Sequence, residues 1–460
     1  MKNLVKCILF ALTALLLFAS MMQKALRWHE FKPLKGVVVE QPMPQLSLAS
    51  CGDGSFQQQT EQYLKQHFGY REPLIRLYNQ YLWDCYATSP ILGSQIIVGK
   101  DNWLYEPLAI SNYYQWQFHN YASDSAEMAH MLADEAQRLL QLQQRLDEYG
   151  IHLFVCLVPA KDLLCPEYLP ENPNTTYDNE PKFSARYFNE QAYSQLGINH
   201  LNLEQYFLAM KDTADFQLFP KTGTHWTKYA SLYAADTLIR YMEHLGNMNV
   251  KNIVIGPREL DNARDPDDDL ESLLNLMKPI SKPQYWYAET TSDGDTTATK
   301  PKVIVVGDSF WWNIAIQIPQ GEIFSSYPYL YYNSTVYYHP PYNSVAELDL
   351  QEELLTSDFV ILFYNAATQY RLNDGFTQDA LAVLENIDND KPLDSVAYIE
   401  RVVQRTIADI LADPNWSQMV REKAVANGVE FEQALRNDAQ WVVNNELQNG
   451  TFKWPATKNR

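Results

Sequence analysis

Residues 303–310 constrain the fold of this chain more than any other segment, because they read VIVVGDSF. Four consecutive β-branched residues predict a buried strand, and the Gly-Asp-Ser triplet that follows predicts a sharp turn. Residues 311–318 then continue as a helix-like segment. A strand, a turn and a helix in this order are typical of an α/β protein that presents a serine for nucleophilic attack, since N–H groups at a helix start can stabilise an oxyanion. Ser309 is therefore the candidate nucleophile, although the same triplet is also common in turns without chemistry.

A serine hydroxyl is a weak nucleophile at neutral pH and requires a base. The candidate lies in residues 221–227, which read KTGTHWT. This segment precedes an amphipathic stretch, residues 227–245, which predicts a helix and places His225 in the loop at its start. We therefore predict that His225 is the general base, with Trp226 either beside the substrate or anchoring the helix in the core.

Three further segments stand in a fixed order before these two. They are FGYREPL at 68–74, GKDNWLY at 99–105, and VPAK at 158–161 with PEYLP at 166–170. The five segments together resemble the motifs of SGNH-hydrolase-like proteins of the DHHW and alginate O-acetyltransferase (AlgJ/AlgX) type. The resemblance covers residues 65–370.

The resemblance implies an SGNH-hydrolase-like, flavodoxin-like α/β fold, with a mostly parallel sheet flanked by helices. It implies catalysis through Ser309 and His225, with backbone N–H groups after the serine as oxyanion donors. Sites of this type also use an asparagine after a strand as an oxyanion donor, which implies such a role for Asn365. Three further candidates for oxyanion or substrate binding lie in or beside these motifs: Asp308, Trp226 and Lys161. For Lys161, however, an exposed loop lysine without a role in the site is the favoured interpretation.

Gly223 departs from the pattern of the resembled family. An aspartate stands there in the family, two residues before the histidine, where it orients the imidazole and stabilises the imidazolium; glycine can do neither. Three explanations stay open. In the first, serine and histidine work as a dyad. In the second, an acid from elsewhere orients His225, and the nearest upstream acids are Asp212 and Asp215. In the third, the protein has lost catalysis and kept the fold.

The predicted elements divide the chain into four parts. Residues 1–24 are a signal anchor or signal peptide, 25–95 a tether and leading helix, 96–372 the α/β domain and 373–460 a helical C-terminal region. Within the domain we predict a helix at 124–148 and strands at 151–158, 200–203, 250–255, 302–306 and 358–364. The acidic runs 261–269 and 290–299 are predicted to be surface loops. Helices are also predicted at 56–82, 395–412 and 417–444.

The first 24 residues have the form of a secretory signal. Lys2 and Lys6 precede an almost wholly apolar stretch, residues 7–22, and no convincing cleavage site follows. We read the stretch as an uncleaved anchor, with a cleaved signal peptide as the alternative. The protein is then anchored in the inner membrane, with its large domain facing the periplasm or the cell exterior.

Composition narrows the ligands and the redox state. A net charge of −20 and a pI near 4.9 argue against nucleic acid, whose binding needs basic patches. Four cysteines outside the anchor permit two disulfides, and proximity in sequence favours Cys51 with Cys85 and Cys156 with Cys165. Cys156 is equally consistent with a buried strand residue. The cysteine and histidine spacings indicate no metal site, and the chemistry requires no cofactor.

The sequence therefore predicts an exported, membrane-tethered O-acetyltransferase or acetylesterase that acts on a cell-surface polysaccharide. A membrane-bound O-acyltransferase as acyl donor is implied by the resemblance alone. The alternative is a catalytically inactive SGNH-like protein that binds a glycan or acts as a scaffold.

Overall fold

The computed structural model of the protein describes residues 2–26, 29–36, 41–86, 96–114, 122, 124–170, 183–319, 321–389, 395–412, 414–452 and 454. Parts of the predicted tether, residues 27–28, 37–40 and 87–95, lie outside these residues.

The described residues form helices and strands, with several consecutive helices at each end of the chain. The α-helices are α1 (Lys2–Leu26), α2 (Leu48–Gly52), α3 (Ser55–His67), α4 (Arg71–Tyr86), α5 (Pro107–Tyr113), α6 (Ser125–Asp147), α7 (Lys161–Leu164), α8 (Ala185–Leu196), α9 (Leu203–Met210), α10 (Lys228–Gly246), α11 (Asp269–Leu273), α12 (Trp311–Ala315), α13 (Leu350–Thr356), α14 (Phe376–Asn389), α15 (Ser395–Ala412), α16 (Pro414–Asn427) and α17 (Phe431–Asn449). The strands are β1 (Ile97–Val98), β2 (Leu104–Tyr105), β3 (His152–Val158), β4 (His200–Asn202), β5 (Ile253–Ile255), β6 (Glu259–Asn262), β7 (Gln284–Tyr287), β8 (Thr290–Ser292), β9 (Val303–Gly307), β10 (Tyr329–Tyr331), β11 (Thr335–Tyr337) and β12 (Phe359–Asn365). Short 3₁₀ segments lie at Lys100–Asn102, Pro166–Tyr168, Val345–Glu347 and Gln369–Gly375.

Six strands form the central sheet, in the spatial order β11-β10-β9-β12-β3-β4. Neighbouring strands run parallel, except that β11 is antiparallel to β10. The predicted strands at 151–158, 200–203, 302–306 and 358–364 correspond to β3, β4, β9 and β12. The edge strand β11 and its neighbour β10 were not predicted, because their tyrosine-rich sequence lacks a continuous aliphatic run.

Both faces of the sheet are covered, as the uninterrupted apolar sequence of β9 requires. Val303 and Val305 point into a core shared with α10 and α12, whereas Ile304 and Val306 point into a core shared with α6 and α14. All four side chains are fully buried, and each such burial stabilises the fold by about 1.5–3 kcal/mol. This is the mostly parallel, helix-flanked sheet that the sequence predicted.

One predicted strand lies elsewhere. The segment 250–255 contributes β5, which pairs antiparallel with β8 outside the central sheet. Val254 is 43% exposed, so the apolar run that suggested a core strand is only half covered. The prediction of a continuous loop at 290–299 is also wrong, because β8 occupies the first three residues of that segment. In a second small pair, β6 with β7, the last two residues of β6 lie in the acidic run 261–269 that was predicted to be a loop.

The N-terminal helix α1 is the one helix of the described residues that is long and apolar enough to cross a membrane. Its apolar part, Leu4–Leu26, has 23 residues and a mean hydropathy of 2.3. At 1.5 Å per residue it is about 35 Å long, which spans a typical hydrocarbon core. The helix predicted at 56–82 is two helices, α3 and α4, which are separated at residues 68–70.

The C-terminal helices α15, α16 and α17 pack around their own apolar core, which includes Val403, Val420 and Leu435. The preceding helix α14 belongs with the sheet instead, since its residues Phe376 and Leu384 lie in the core beneath β12. We therefore propose that the boundary of the C-terminal region follows α14 rather than residue 372.

The predicted disulfides are wrong. All five cysteines carry free thiols, and Cys51 and Cys85 are exposed at separate helices. Cys156 is a fully buried residue of β3, in agreement with its alternative interpretation. Cys156 lies in β3 and Cys165 directly follows α7, so these two elements, and not proximity in sequence, fix the positions of the two sulfur atoms.

Candidate active site

Ser309 lies at the carboxyl end of β9, next to the centre of the sheet. Close packing of the backbone positions it: a Cβ atom added to Gly307 would lie 2.0 Å from the carbonyl oxygen of Phe363 on the neighbouring strand. Only glycine allows this approach. The strand therefore delivers the chain to the turn at the edge where open α/β sheets bind ligands.

Asp308 anchors this turn from below. Its Oδ1 accepts a hydrogen bond from the Phe310 N–H at 3.1 Å. Its Oδ2 accepts three: from Asn365 N at 2.7 Å, Asn365 Nδ2 at 2.7 Å and Thr368 Oγ1 at 2.5 Å. Burial raises the pKa of Asp308, and these hydrogen bonds oppose the rise. The Asp308 side chain is fully buried, and both of its oxygens accept hydrogen bonds from the protein. The substrate-binding role predicted for Asp308 is therefore corrected to a structural one.

His225 lies directly against Ser309. Its Nε2 is 2.9 Å from Ser309 Oγ, and its side chain is 14% exposed. The ring packs edge-on against Phe310, with 4.9 Å between ring centroids. The loop before α10 thus places the imidazole of His225 next to the hydroxyl of Ser309, although the two residues are 84 positions apart in the sequence.

Asp269 completes the chain of hydrogen bonds. Its Oδ2 lies 3.1 Å from His225 Nδ1, and its Oδ1 accepts hydrogen bonds from Thr224 N at 2.8 Å and Leu270 N at 2.7 Å. With a carboxylate at Nδ1, the neutral imidazole carries its proton there and leaves Nε2 free to accept the serine proton. Serine, histidine and aspartate are therefore arranged as a triad.

The electrostatics of His225 combine opposing effects. Burial lowers its pKa, but the hydrogen bond and charge of Asp269 and the charges of Glu106 and Asp308 outweigh burial and raise the pKa above its ordinary 6.5. A more basic imidazole is a better proton acceptor while it is neutral.

The two acids proposed from the sequence do not reach His225. Asp215 is exposed and forms a bidentate ion pair with Arg258, with oxygen–nitrogen distances of 3.0 and 2.6 Å. Asp212 is exposed in the turn after α9. Asp269 is the last residue of the acidic run that was predicted to be a surface loop, and it is the first residue of the short helix α11. An acid at the start of a short helix was the only sequence feature that distinguished it. Sequence patterns carry no distance, so this signal could not be connected with His225.

The local packing explains why position 223 is glycine. A Cβ atom there would lie 2.7 Å from the carbonyl oxygen of Asp267 and 2.8 Å from Cγ of Pro220. Asp267 is itself fully buried, with its carboxylate bound to Lys228 N and Tyr287 Oη. The acidic segment that carries Asp269 therefore occupies the space that a side chain at 223 would need.

Lys161 is buried, which corrects the interpretation of an exposed loop lysine. Its ammonium donates hydrogen bonds to three backbone carbonyl oxygens: Leu104 at 2.6 Å, Gly223 at 2.8 Å and Lys221 at 3.1 Å. It also lies 5.1 and 5.0 Å from the ring centroids of Trp103 and Tyr105. Burial lowers the pKa of Lys161 to about 7, against the charges of Cys165, Asp269 and Glu106. The lysine thus ties the loop that carries His225 to β2.

Trp226 and Asn365 have different surroundings. Trp226 is fully buried between Phe207 and Phe310, so it anchors α10 in the core and cannot contact a substrate. Asn365 ends β12 and lines the cleft; its Nδ2 donates to Asp308, and its Oδ1 accepts from Ala367 N at 2.8 Å.

A cleft opens beside Thr224 and Phe310, which are the chain neighbours of His225 and Ser309. It is lined by Tyr105, Glu106, Leu108, Ala109, Ala160, Lys161, Thr224, Phe310, Asn365 and Ala367. Burial raises the pKa of Glu106, and the charge of His225 opposes this. Small side chains and a second carboxyl group thus adjoin the serine.

The N–H groups that were expected to face an oxyanion are already used. Phe310 N donates to Asp308 Oδ1, Trp311 N to Asp308 O and Trp312 N to Ser309 O. The helix that follows, α12, has only five residues. In the part of the chain that the structure describes, no group of three His, Cys, Asp or Glu side chains is placed to hold a metal ion.

Comparison with known proteins identifies the domain. Residues 96–317 match the family model described as SGNH hydrolase-like domain, acetyltransferase AlgX. The match contains Ser309, His225 and Asp269. No curated protein sequence matches the chain.

Several solved structures are similar to the chain at low sequence identity. The O-acetyltransferase domain of Pseudomonas putida AlgJ is 16% identical, with 63% of this chain and 99% of that one covered and a TM-score of 0.41. Pseudomonas aeruginosa AlgX is 14% identical, with 62% and 67% covered and a TM-score of 0.37. Bacillus cereus PatB1 is 12% identical, with 60% and 96% covered and a TM-score of 0.36.

Proposed function

We propose that this protein is a serine-dependent O-acetyltransferase that acts on a polysaccharide, since its residues 96–317 match the family model of the SGNH hydrolase-like domain of acetyltransferase AlgX. The observation that carries the proposal is the continuous hydrogen-bonded chain from Ser309 through His225 to Asp269. A nucleophile, a base and an orienting acid within hydrogen-bond reach are the arrangement that acyl transfer requires.

In the first half of the reaction, Ser309 Oγ attacks the carbonyl carbon of an acyl donor. His225 Nε2 takes the serine proton as the C–O bond forms, and Asp269 stabilises the imidazolium. When the tetrahedral intermediate collapses, the bond to the donor's leaving group breaks and His225 returns the proton to that group. The product is an acyl ester on Ser309.

In the second half, a sugar hydroxyl attacks this ester. His225 removes the hydroxyl proton, the new ester forms on the sugar, and the proton returns to Ser309 Oγ as it leaves. The oxyanion of both intermediates is stabilised by the Ser309 N–H and by the second hydrogen of the Asn365 side-chain amide, since the next backbone N–H groups are already engaged.

The shape of the cleft supports a small acyl group. Three alanines, Ala109, Ala160 and Ala367, line it beside the polar groups. Exclusion of water from the ester decides between transfer and hydrolysis, and an acetylesterase would use the same residues. We further propose that α1 anchors the domain to the inner membrane on the periplasmic or outer side, where a membrane-bound O-acyltransferase would supply the acyl group.

Labelling of the serine tests the proposal. Wild-type protein treated with a sulfonyl fluoride is expected to gain one adduct, which peptide mapping places on Ser309. Ser309→Ala should abolish the adduct and the hydrolysis of p-nitrophenyl acetate, and His225→Ala should lower both by at least about 10³-fold. His244→Ala, at an exposed histidine of α10, is the matched control and should leave both rates unchanged.

The competing function, an inactive glycan-binding protein, was motivated by Gly223 alone. Asp269 provides the acid whose absence suggested it. A folded wild-type protein that gains no adduct at Ser309 would nevertheless favour that function and contradict ours.

A further inference from the structure

An aromatic surface adjoins the triad on the side of the sheet edge. We define the aromatic platform by five residues of α12, β10 and β11 and the turns after these strands: Trp312, Tyr331, Tyr332, Tyr337 and Tyr338. Trp312 lies at its centre, with ring-centroid distances of 4.4 Å to Tyr337, 5.7 Å to Tyr338 and 6.0 Å to Tyr331. Tyr331 and Tyr332 are 4.4 Å apart. The rings thus form one contiguous group.

The platform is joined directly to the nucleophile turn. Trp312 N donates to Ser309 O at 3.1 Å, and Tyr332 N donates to Gly307 O at 2.9 Å. Tyr331 is the register partner of Gly307 in the parallel pair of β10 and β9. The platform residues are therefore neighbours of the nucleophile turn in the sheet.

The platform is open to solvent. Tyr337 is 38% exposed and Tyr338 is 37% exposed, while Trp312, Tyr331 and Tyr332 are partly exposed. Phe324 and Tyr329, by contrast, are fully buried beneath the same edge of the sheet. Trp312, Tyr331 and Tyr332 pack against the core with one side, whereas Tyr337 and Tyr338 are the most exposed rings of the platform.

Two platform residues have an unfavourable backbone conformation. Tyr332 has a φ of 47° and Tyr338 a φ of 57°, in the left-handed region that glycine or asparagine usually occupies. A bulky aromatic residue destabilises such a turn. Backbone strain of this kind is concentrated at ligand sites, where the side chain is needed at that place.

The charge pattern indicates what the ligand is. Residues 323–346 contain no Asp, Glu, Lys or Arg, although the chain has 56 acidic and 36 basic residues. One charged group from outside this segment meets the platform: the guanidinium of Arg371 lies 4.3 Å from the ring centroid of Tyr332 and is paired with Asp374. The other aromatic rings, with hydroxyl groups and on a segment without charged residues, favour a neutral ligand that has flat apolar faces and hydroxyls at its rim. Pyranose rings have this chemistry, because their C–H groups face up and down and their hydroxyls point outwards.

We propose that the aromatic platform is the acceptor subsite, where a neutral glycan chain stacks its sugar rings and presents a hydroxyl to the acyl ester on Ser309. This inference rests on the proposed function for its role in catalysis, but the binding of a neutral glycan stands on the platform alone. Stacking on Trp312 and Tyr331 positions the sugar next to the turn, and Tyr337 and Tyr338 extend the contact along the chain.

The test separates binding from chemistry. Isothermal titration calorimetry with Ser309→Ala protein uses neutral hexasaccharides of β-glucan, mannan, galactan and chitin, together with a hexamannuronate as the anionic comparison. At least one neutral hexasaccharide is expected to bind more tightly than the hexamannuronate. Adding Tyr337→Ala and Tyr338→Ala should weaken that binding at least about tenfold, the effect of losing an aromatic stacking contact.

The matched control changes two exposed tyrosines of α4, Tyr78→Ala and Tyr81→Ala, and should leave binding unchanged. Thermal melting confirms that both double variants are folded. In otherwise wild-type protein, the platform variant should raise the acceptor KM of acetyl transfer more than it changes kcat.

Several results would overturn the inference: no binding of any neutral hexasaccharide, tighter binding of the hexamannuronate, or equal loss of binding in the α4 control. Self-association that the platform variant abolishes, without glycan binding, would assign the surface to a second copy of the chain. If glycans bind at the platform but wild-type Ser309 cannot be labelled, the proposed function fails and the binding site survives.

Discussion

His225 Nδ1 lies 3.1 Å from Asp269 Oδ2, although the two residues are 44 positions apart in the sequence. The aspartate comes from the first turn of α11, not from the loop that carries the histidine. The acid beside this histidine thus has a different place in the chain from the one that the resembled motif assigns to it.

Asp269→Asn tests this assignment. The amide can no longer stabilise the imidazolium and favours the wrong tautomer, so turnover is expected to fall by about 10⁴-fold, as for other triads that lose their acid. Steady-state hydrolysis of p-nitrophenyl acetate measures the loss. Asp215→Asn is the matched control, because its partner is Arg258, and it should keep wild-type activity. Equal activity of both variants would show that serine and histidine work as a dyad.

The acidic limb of the pH profile reports the protonation of His225. The base acts only when it is neutral, so activity falls as the pH falls through its pKa. That pKa lies above its ordinary 6.5, since Asp269, Glu106 and Asp308 outweigh burial, and the decline of kcat/KM should therefore lie at higher pH than for an unperturbed histidine. In Asp269→Asn the largest of the raising effects is lost, and the limb should move to lower pH. A limb that stays in place in this variant would contradict the coupling.

Lys161→Met tests whether the buried lysine positions the base. Methionine preserves the apolar stem but cannot hydrogen-bond the carbonyl oxygens of Gly223 and Lys221. The His225 loop is expected to shift, and labelling of Ser309 to slow by about 10²-fold, the effect of a displacement of about 1 Å. The exposed Lys65, whose side chain is 70% exposed, provides the control Lys65→Met. A purely structural role would lower the melting temperature of Lys161→Met without changing its labelling rate below that temperature.

Gly223→Asp would restore the motif of the resembled family, yet we expect it to impair this protein. The new Cβ would lie 2.7 Å from the backbone oxygen of Asp267, and relief requires movement of the segment that carries Asp269. Overpacking of this kind costs about 1–3 kcal/mol, measurable as a lower midpoint of urea unfolding. Activity should fall as well. Gly294→Ala is a poor comparison because of its positive φ, whereas Gly52→Ala adds a Cβ with nothing within 4 Å and should be nearly neutral.

Much of the fold could be predicted because local patterns determine it. The β-branched run of β9 and the apolar run of β12 can be stable only when both faces are buried, which predicts a parallel, helix-covered sheet. The helix α6 begins at Asp124, whose Oδ1 accepts hydrogen bonds from Ala126 N and Glu127 N, and this cap is readable as a sequence pattern. The order of elements and the region of the site followed from these patterns.

The sequence by itself determined that Ser309 ends a buried strand and that His225 precedes a helix, because strand burial and helix starts depend on neighbouring residues. Only the tertiary structure decided which acid meets the histidine, that Lys161 is buried and that the cysteines stay apart. These facts depend on how residues tens of positions apart pack together. Asp269 illustrates the difference: its acidic neighbours indicated a solvated loop, but the packing of Asp267 beneath Gly223 turns that loop inward and places one carboxylate on the imidazole.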